Sequence, residues 1–400
     1  MKNILIITSL ILILTAANAQ TGFIPNYDES KVPKYQLPEL LITTGNKLVK
    51  DKNAWEKSRR PELLKQFENN VYGQMPKKYD KIKYTLVNLD NKALEGRATL
   101  KEVLIEVFDN NKSVQINLVL FIPNGLGKKP PVFLLINNRP RTNTDPTRAV
   151  KSEFWPVEMG IDSGYAMAGF HVGDLAPDNK DSFANGLLRL YPEQLTAANG
   201  MRGIGSWAWG ASRVMDYFET DKDIDVKKVG VVGHSRGGKT SLWAAAQDKR
   251  FALCVTNCSG NTGAAISRRK YGETIARINT SFPYWFTSNY KKYNDNEEAL
   301  PVDQHMLLAL IAPRPLYVTN ASADLWADPL GTYLSVKSAA PVYELYGIKP
   351  NLPANPPGIN EAIIETQTGY HNREGKHDMT SFDWGNFIRF ANYHYNKKDQ

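Results

Sequence analysis

Cysteine is nearly absent from the 400-residue chain, which holds only Cys254 and Cys258. That excludes a disulfide-built scaffold. With Cys254 in a strand, a rise of about 3.3 Å per residue also leaves the two Cα atoms too far apart to bridge. Two free, mostly buried thiols are the expectation. No His or Cys pair stands at the spacing of a zinc finger, so a structural zinc module is not expected either. Blocks of like charge are missing too. Lys plus Arg number 49 against 41 Asp plus Glu, a net charge of +8, but the excess is scattered where a nucleic-acid binder would concentrate it. It suits at most an encounter with acidic polymers or an anionic surface. No segment reaches about 18 uninterrupted apolar residues, so no membrane span is expected. At 42% hydrophobic and 22% charged the composition is that of a globular protein, which excludes a disordered tail and a collagen-like fibre.

The N-terminus reads as a cleaved export signal over residues 1–19. Lys2 precedes an apolar run from Ile4 to Leu14, and Ala17-Asn18-Ala19 supplies the small residues of a signal-peptidase site. Gln20 would begin the mature protein, in the periplasm or outside the cell. No cysteine stands at the cleavage point, which argues against a lipidated N-terminus.

Residues 20 to about 45 are rich in proline and polar groups and read as an extended arm wrapped over the body, the start of an N-terminal region reaching to about residue 80. Asn53 to Asn70 carries Trp55, Leu63, Leu64 and Phe67 on recurring turns, which predicts a helix with Pro61 near its start. From about Lys81 to Pro123 the pattern changes to strands, with Asp109-Asn-Asn-Lys112 as a hairpin turn. After Pro131 short continuous apolar runs begin at Val132, Tyr165, Val229, Ala252 and Pro315, as expected of parallel strands buried on both faces. Helices are predicted at Trp207–Glu219 and Lys239–Ala246. Strands first and βα alternation afterwards imply one α/β sheet, mostly parallel, with antiparallel leading strands. Without a repeat, a low-complexity linker or a composition break, a single catalytic domain over residues 20–400 is the simplest organisation.

The strongest local signal is Gly233-His-Ser-Arg-Gly237, directly after an apolar strand and directly before a helix. A sharp turn there lifts the Ser235 hydroxyl above the sheet edge, and the backbone N–H of Arg236 points at a developing oxyanion. A serine hydroxyl needs a base, and the base needs an orienting group. On this architecture the acid and then the histidine follow the serine in the chain. Of six histidines, His171 and His234 precede Ser235, His305 lies ahead of a later strand and His394 in the last helix. His377 and His371 remain, in the loop before that helix, and His377 is the nearer to it. Asp324 follows a strand between nucleophile and base; Asp328, which precedes a proline and suits a cap, and Asp378 are the other carboxylates. The block Asn137-Asn-Arg-Pro140 follows the strand where a second oxyanion donor would be placed.

With those residues assembled, the chain resembles the glucuronoyl esterases of carbohydrate esterase family 15, members of the α/β-hydrolase superfamily. Gly233-His-Ser-Arg-Gly-Gly-Lys239 fits that family's G-x-S-R-x-G-K signature. Trp207-Ala-Trp-Gly210, Tyr271-Gly-Glu-Thr274, Trp326-Ala-Asp-Pro329 and Gly375-Lys-His-Asp378 are similar to its other blocks. The resemblance runs from about Leu37 to Phe390. It implies a three-layer α/β-hydrolase fold and hydrolysis of the ester between 4-O-methyl-glucuronate on xylan and lignin alcohols, through an acyl-enzyme on Ser235 with no metal or organic cofactor. It also implies that the Arg236 guanidinium adds to oxyanion stabilisation, that Lys239 and Glu273 hydrogen-bond the sugar, and that Trp326 walls the sugar site. The expected partner is glucuronoxylan or a lignin–carbohydrate ester, met by a monomer.

The chain departs from many bacterial members of that family at Cys258, in Thr256-Asn-Cys-Ser-Gly260, where a glutamate is usual. A thiol does not replace a carboxylate as an imidazolium partner at neutral pH, so the triad acid is expected at Asp324 and Cys258 is expected to be buried. Two readings compete. An exported acetylxylan or general carboxylesterase would use the same triad, but would leave Arg236, Lys239 and Glu273 without evident use. An inactive sugar-binding relative would have no physical reason to keep Ser, Asp and His in order.

Overall fold

The leading apolar runs form an antiparallel meander, β1 (Lys81–Ala93), β2 (Ala98–Asp109) and β3 (Lys112–Pro123). Its second turn closes on Asn110 and Asn111, both at positive φ, 47° and 60°. A type I′ hairpin demands this, and Asn tolerates it better than other side chains. The computed structural model describes residues 23–396; the export-signal reading of residues 1–19 lies outside them.

The later runs become β4 (Val132–Asn137), β5 (Ala166–His171), β6 (Val229–His234), β7 (Leu253–Asn257) and β8 (Leu316–Ala321), followed by the two-residue β9 (Ala362–Ile363) and β10 (Thr368–Arg373). All ten join one sheet in the order β1-β2-β3-β5-β4-β6-β7-β8-β10-β9. From β5 to β10 the pairings are parallel; β1, β2, β3 and β9 pair antiparallel. The order reverses at β4, between β5 and β6, and a crevice opens beyond the strands' C-terminal ends at such a switch point.

Alternation along β4 shows why the run is continuously apolar. Val132, Leu134 and Ile136 enter one core with Trp207, Val214, Leu242 and Trp243, while Phe133 and Leu135 enter the other with Trp384, Phe387 and Phe390. The first core belongs to helices Gly203–Phe218 and Arg236–Gln247, the second to helix Ser381–Tyr395. Helices therefore cover both faces, a three-layer arrangement. Each fully buried side chain of this kind contributes about 1.5–3 kcal/mol.

The structure corrects the sequence reading in two places. Pro61 lies in the middle of the helical segment 52–72 rather than near its start. The turn ahead of it, Trp55–Arg59, is a wider π-turn in which the Arg60 N–H donates to the Trp55 carbonyl. That widening accommodates a ring which would otherwise collide with a carbonyl one turn back. His371 sits inside β10, not in the loop before the last helix. Thr368-Gly-Tyr-His-Asn-Arg373 lacks an apolar run because buried polar partners, described below, take up its side chains.

Residues 23–50 carry only a short 3-10 turn, Glu29–Lys31, and an isolated bridge between Ile42 and Leu48. The segment is held by the body: the Arg59 guanidinium donates to the Leu40 and Glu39 carbonyls, and the Pro38 carbonyl lies 3.1 Å from His305 Nε2. Among the described residues no helix is long and apolar enough to cross a membrane.

Candidate active site

β6 ends at His234 and the next helix begins at Arg236, leaving Ser235 alone in the turn with φ 55° and ψ −124°. A non-glycine residue is strained there. Two hydrogen bonds hold it: the Ser235 N–H donates to the Asn257 carbonyl at 2.8 Å, and its own carbonyl accepts from the Lys239 N–H at 3.0 Å. Glycine is obligatory at 233, where a Cβ would stand 1.9 Å from the Gly237 carbonyl oxygen. The serine side chain makes no capping bond, and the N–H groups of the helix's first turn have no intrahelical acceptor, which leaves them as donors for an anion.

Across the crevice, His377 Nδ1 donates to Asp324 Oδ2 at 2.5 Å. The aspartate side chain is 3% exposed and the imidazole 37%, so one edge of the ring stays accessible. Two backbone bonds stitch the loops that carry them: Ser322 N to Arg373 O at 2.8 Å and Ala323 N to Gly375 O at 2.9 Å. Buried Arg373 then cradles the histidine loop, donating to the carbonyls of Glu374, Lys376 and Asp378 at 2.7–2.8 Å and to Asp383 at 2.9 Å. Asp383 closes a capping box with Thr380 at the start of the last helix. His371 is fully engaged in the same network, its Nε2 donating to Asp383 at 2.9 Å and its Nδ1 accepting from the Tyr317 hydroxyl at 3.0 Å.

The remaining carboxylates are occupied elsewhere. Asp328 caps helix Pro329–Glu344 through the Gly331 N–H and pairs with Arg269 at 2.8 Å. Asp378, 58% exposed, accepts from the Met379 N–H and faces Arg139 at 3.6 Å.

Below the His377 ring lies His234, ring centroids 4.5 Å apart. Since His234 immediately precedes Ser235, this contact sets His377 beside the turn. Arg139 Nη2 donates to His234 Nε2 at 3.1 Å, so Nδ1 carries the proton and donates to Asn257 Oδ1 at 2.6 Å. Burial first, then the neighbouring His377, hold the His234 pKa well below the ordinary value. A neutral ring here avoids a second positive charge under the first.

Cys258 is 2% exposed, and its sulfur, an Asp324 oxygen and a His377 nitrogen lie within 4.8 Å of one another. Burial and then the Asp324 charge push its thiol far above the ordinary range. It stands as S–H beside the carboxylate and is no rival for the acid's place. Both cysteines are free and buried.

The Arg236 guanidinium is gripped by Asp178 and lies 5.2 Å over the Trp285 ring. Asp178 also accepts from the Tyr284 hydroxyl at 2.9 Å and Trp285 Nε1 at 2.8 Å. One turn further along the helix, buried Lys239 pairs with buried Glu273 at 3.0 Å and donates to the Ser259 carbonyl at 2.7 Å. Burial lowers the lysine pKa and Glu273 partly restores it. The Glu273 N–H donates to the Trp326 carbonyl at 3.1 Å, which brings half-buried Trp326 to the same rim. In the 137–140 block, Asn137 is spent on Thr144 and the Pro140 carbonyl. Asn138 lies against Gly237, and its amide atoms are buried without a hydrogen-bond partner.

The predicted site residues are linked by contacts: His234, next to Ser235 and Arg236, packs on His377, which bonds Asp324, while Lys239 of the same helix pairs with Glu273, whose N–H bonds the Trp326 carbonyl. Reasoning from sequence singled out the block that holds Arg139 but not its contact with His234, and it missed Asp178, Arg373 and Asp383. Thr380-Ser-Phe-Asp383, a capping-box pattern ahead of the last helix, was a usable signal for Asp383; nothing local marks Asp178 or Arg373.

A family model described as "Glucuronyl esterase, fungi" matches residues 105–347. A carbohydrate esterase from an unknown prokaryotic organism is 41% identical over 399 residues, 92% of each chain. A 4-O-methyl-glucuronoyl methylesterase of Wolfiporia cocos is 32% identical over 221 residues, 51% of this chain and 54% of the relative. Among solved structures, the glucuronoyl esterase from Solibacter usitatus superposes with a TM-score of 0.86 at 38% identity, covering 92% of this chain and 100% of that one. A carbohydrate esterase family 15 glucuronoyl esterase from Teredinibacter turnerae does so at 0.85 and 26% identity, covering 94% of each. The architecture is the α/β-hydrolase fold.

Proposed function

The chain belongs to the glucuronoyl esterase family, carbohydrate esterase family 15, and from that premise we propose that it hydrolyses the ester between 4-O-methyl-glucuronoyl groups of xylan and lignin alcohols. In this reading the Ser235 hydroxyl attacks the uronoyl carbonyl carbon while His377 Nε2 takes its proton. Asp324 keeps the Nδ1 proton in place and stabilises the imidazolium that forms. The Arg236 N–H donates to the tetrahedral oxyanion, with its guanidinium, oriented by Asp178, adding fixed positive charge. His377 then protonates the departing alcohol oxygen. Water, deprotonated by the same imidazole, releases the uronate from Ser235.

The observation that carries the substrate assignment is the buried Lys239–Glu273 pair one helical turn from Ser235. Ester hydrolysis as such needs no such pair. Two opposite charges held at the crevice wall supply a donor and an acceptor for sugar hydroxyls, and acetate offers them nothing to bind. Trp326 supplies an apolar face beside them.

The test compares benzyl or methyl glucuronate esters with p-nitrophenyl acetate and acetylated xylan, using Ser235→Ala as the blank. Preference for the glucuronate ester, abolished in that variant, is the expected result; turnover of acetyl esters alone overturns the uronate assignment. We further infer that the protein acts as an exported monomer, one catalytic domain starting at Gln20 after removal of residues 1–19. The lysine, apolar run and Ala17-Asn18-Ala19 of the sequence support the export and the start at Gln20. Mass spectrometry and light scattering of the protein recovered outside the cytoplasm check both points.

A further inference from the structure

The first described residues of the N-terminal arm lie against Trp326. Phe23 meets Trp326 edge to face, ring centroids 6.0 Å apart, and the Arg277 guanidinium lies 5.4 Å over the Phe23 ring. Tyr27 packs on Tyr271 in the same manner at 6.1 Å. The arm is built in rather than draped. The Asn26 carbonyl accepts from the Gly272 N–H at 2.8 Å, the Tyr27 carbonyl from the Tyr271 hydroxyl at 3.1 Å, and Glu29 pairs with buried Arg269 at 2.6 Å. Arg269 in turn holds Asp328 at 2.8 Å, on the loop that carries Asp324 and Trp326. Gly272, at φ 62°, is what lets these backbones close up, since a Cβ there would stand 2.5 Å from the Trp326 carbonyl oxygen.

Despite that anchoring, the arm leaves apolar surface in water: Phe23 is 39% exposed, Ile24 89% and Tyr27 44%, with Leu325 of the acid loop 40% exposed nearby. Clustered apolar exposure on a well-held segment marks a binding surface. We propose that residues 23–27 of the arm, continuous with Trp326, form an outer subsite for pyranose rings of the polysaccharide that bears the uronate, a proposal that rests on the glucuronoyl esterase reading. A pyranose presents flat C–H faces that pack on aromatic rings, and Trp326, Phe23 packed on it and Tyr27 four residues further along the arm provide such rings.

The succession of contacts selects the glycan rather than the leaving alcohol. Leading away from Ser235 come Lys239, its partner Glu273, the Trp326 carbonyl bonded to Glu273, and then Phe23 on Trp326. In the proposed reading the arm therefore adjoins the groups that hold sugar hydroxyls, on the side of Trp326 away from Glu273. The alcohol departs instead from the carboxyl end, toward His377.

The experiment measures kcat/KM for two substrates, benzyl glucuronate and the benzyl ester of 4-O-methyl-glucuronate carried on xylotriose, and takes their ratio. The wild-type ratio is expected to favour the oligosaccharide, and Phe23→Ala/Tyr27→Ala to lower the ratio by about tenfold. A wild-type ratio near one overturns the subsite and leaves the esterase reading standing. A fall in both rates together with an unmoved ratio shows that the arm only supports the loop, and also overturns it. If neither ester is turned over, the esterase reading fails. Calorimetric titration with unesterified glucuronoxylotriose then decides the subsite separately: binding weakened in the double variant supports it, and equal or absent binding overturns it.

Discussion

His377 Nδ1 and Asp324 Oδ2 meet at 2.5 Å from loops that leave two neighbouring parallel strands, β10 and β8. The register Arg373↔Ala321 aligns those strand ends. A histidine and an aspartate 53 positions apart in sequence are thereby brought together by ordinary sheet pairing.

Asp324→Asn tests the consequence. An amide in place of the carboxylate no longer stabilises the imidazolium and favours the wrong tautomer. We expect kcat on benzyl glucuronate to fall by about 10³–10⁴-fold with KM little changed. Activity within a few-fold of wild type would assign the acid elsewhere.

Glu273→Gln separates sugar recognition from ester cleavage. It removes the charged acceptor beside Lys239, so the ratio of kcat/KM for glucuronate over acetate should drop by about 10–100-fold. An unchanged ratio would make the Lys239–Glu273 pair purely structural.

Arg373→Met should destabilise the protein by about 3–5 kcal/mol, because Asp383 loses a buried cation and three loop carbonyls lose their donor. Urea unfolding measures this. The same variant should lower kcat more than it raises KM, since it is the His377 loop that loosens.

His234, His171 and His305 all have pKa values lowered below the ordinary 6.5, chiefly by burial. Below that pH the unfolded chain binds protons that the folded protein refuses. Stability is therefore complete above about pH 6.5 and declines as pH falls from there toward the depressed folded values, with a limiting slope of about 1.4 kcal/mol per pH unit for each fully buried ring. Urea midpoints at pH 7.5, 6.0 and 5.0 should fall in that order, and His234→Asn should flatten the decline.

The thiols of Cys254 and Cys258 are both pushed up by burial, that of Cys254 to about 12. The native protein should resist iodoacetamide at pH 8 and take up two labels once unfolded, counted by mass spectrometry. Rapid labelling of native Cys258 would contradict its protonated, enclosed state.

Much of this protein was legible in the chain itself. The turn at Ser235 follows from a glycine-flanked serine between an apolar strand and a helix. The parallel sheet follows from runs such as Val132–Asn137 that are apolar on both faces, and the Asn110–Asn111 hairpin from residues that tolerate positive φ. Periodicity misled at Pro61, because a widened turn can absorb a proline that the α-helical pattern cannot. It was silent at β10, because His371 and Arg373 are polar residues whose burial depends on Asp383 and Tyr317.

Sequence alone settled the residue types, their order along the chain and the local geometry around Ser235, since bonded neighbours dictate a turn. Tertiary structure decided which histidine is free to act and which aspartate orients it, that Asp178 grips Arg236, and that the arm reaches Trp326. Those relationships lie between residues 53 to about 300 positions apart. Sheet order and loop packing bring such groups within hydrogen-bonding distance, and no local pattern encodes that distance.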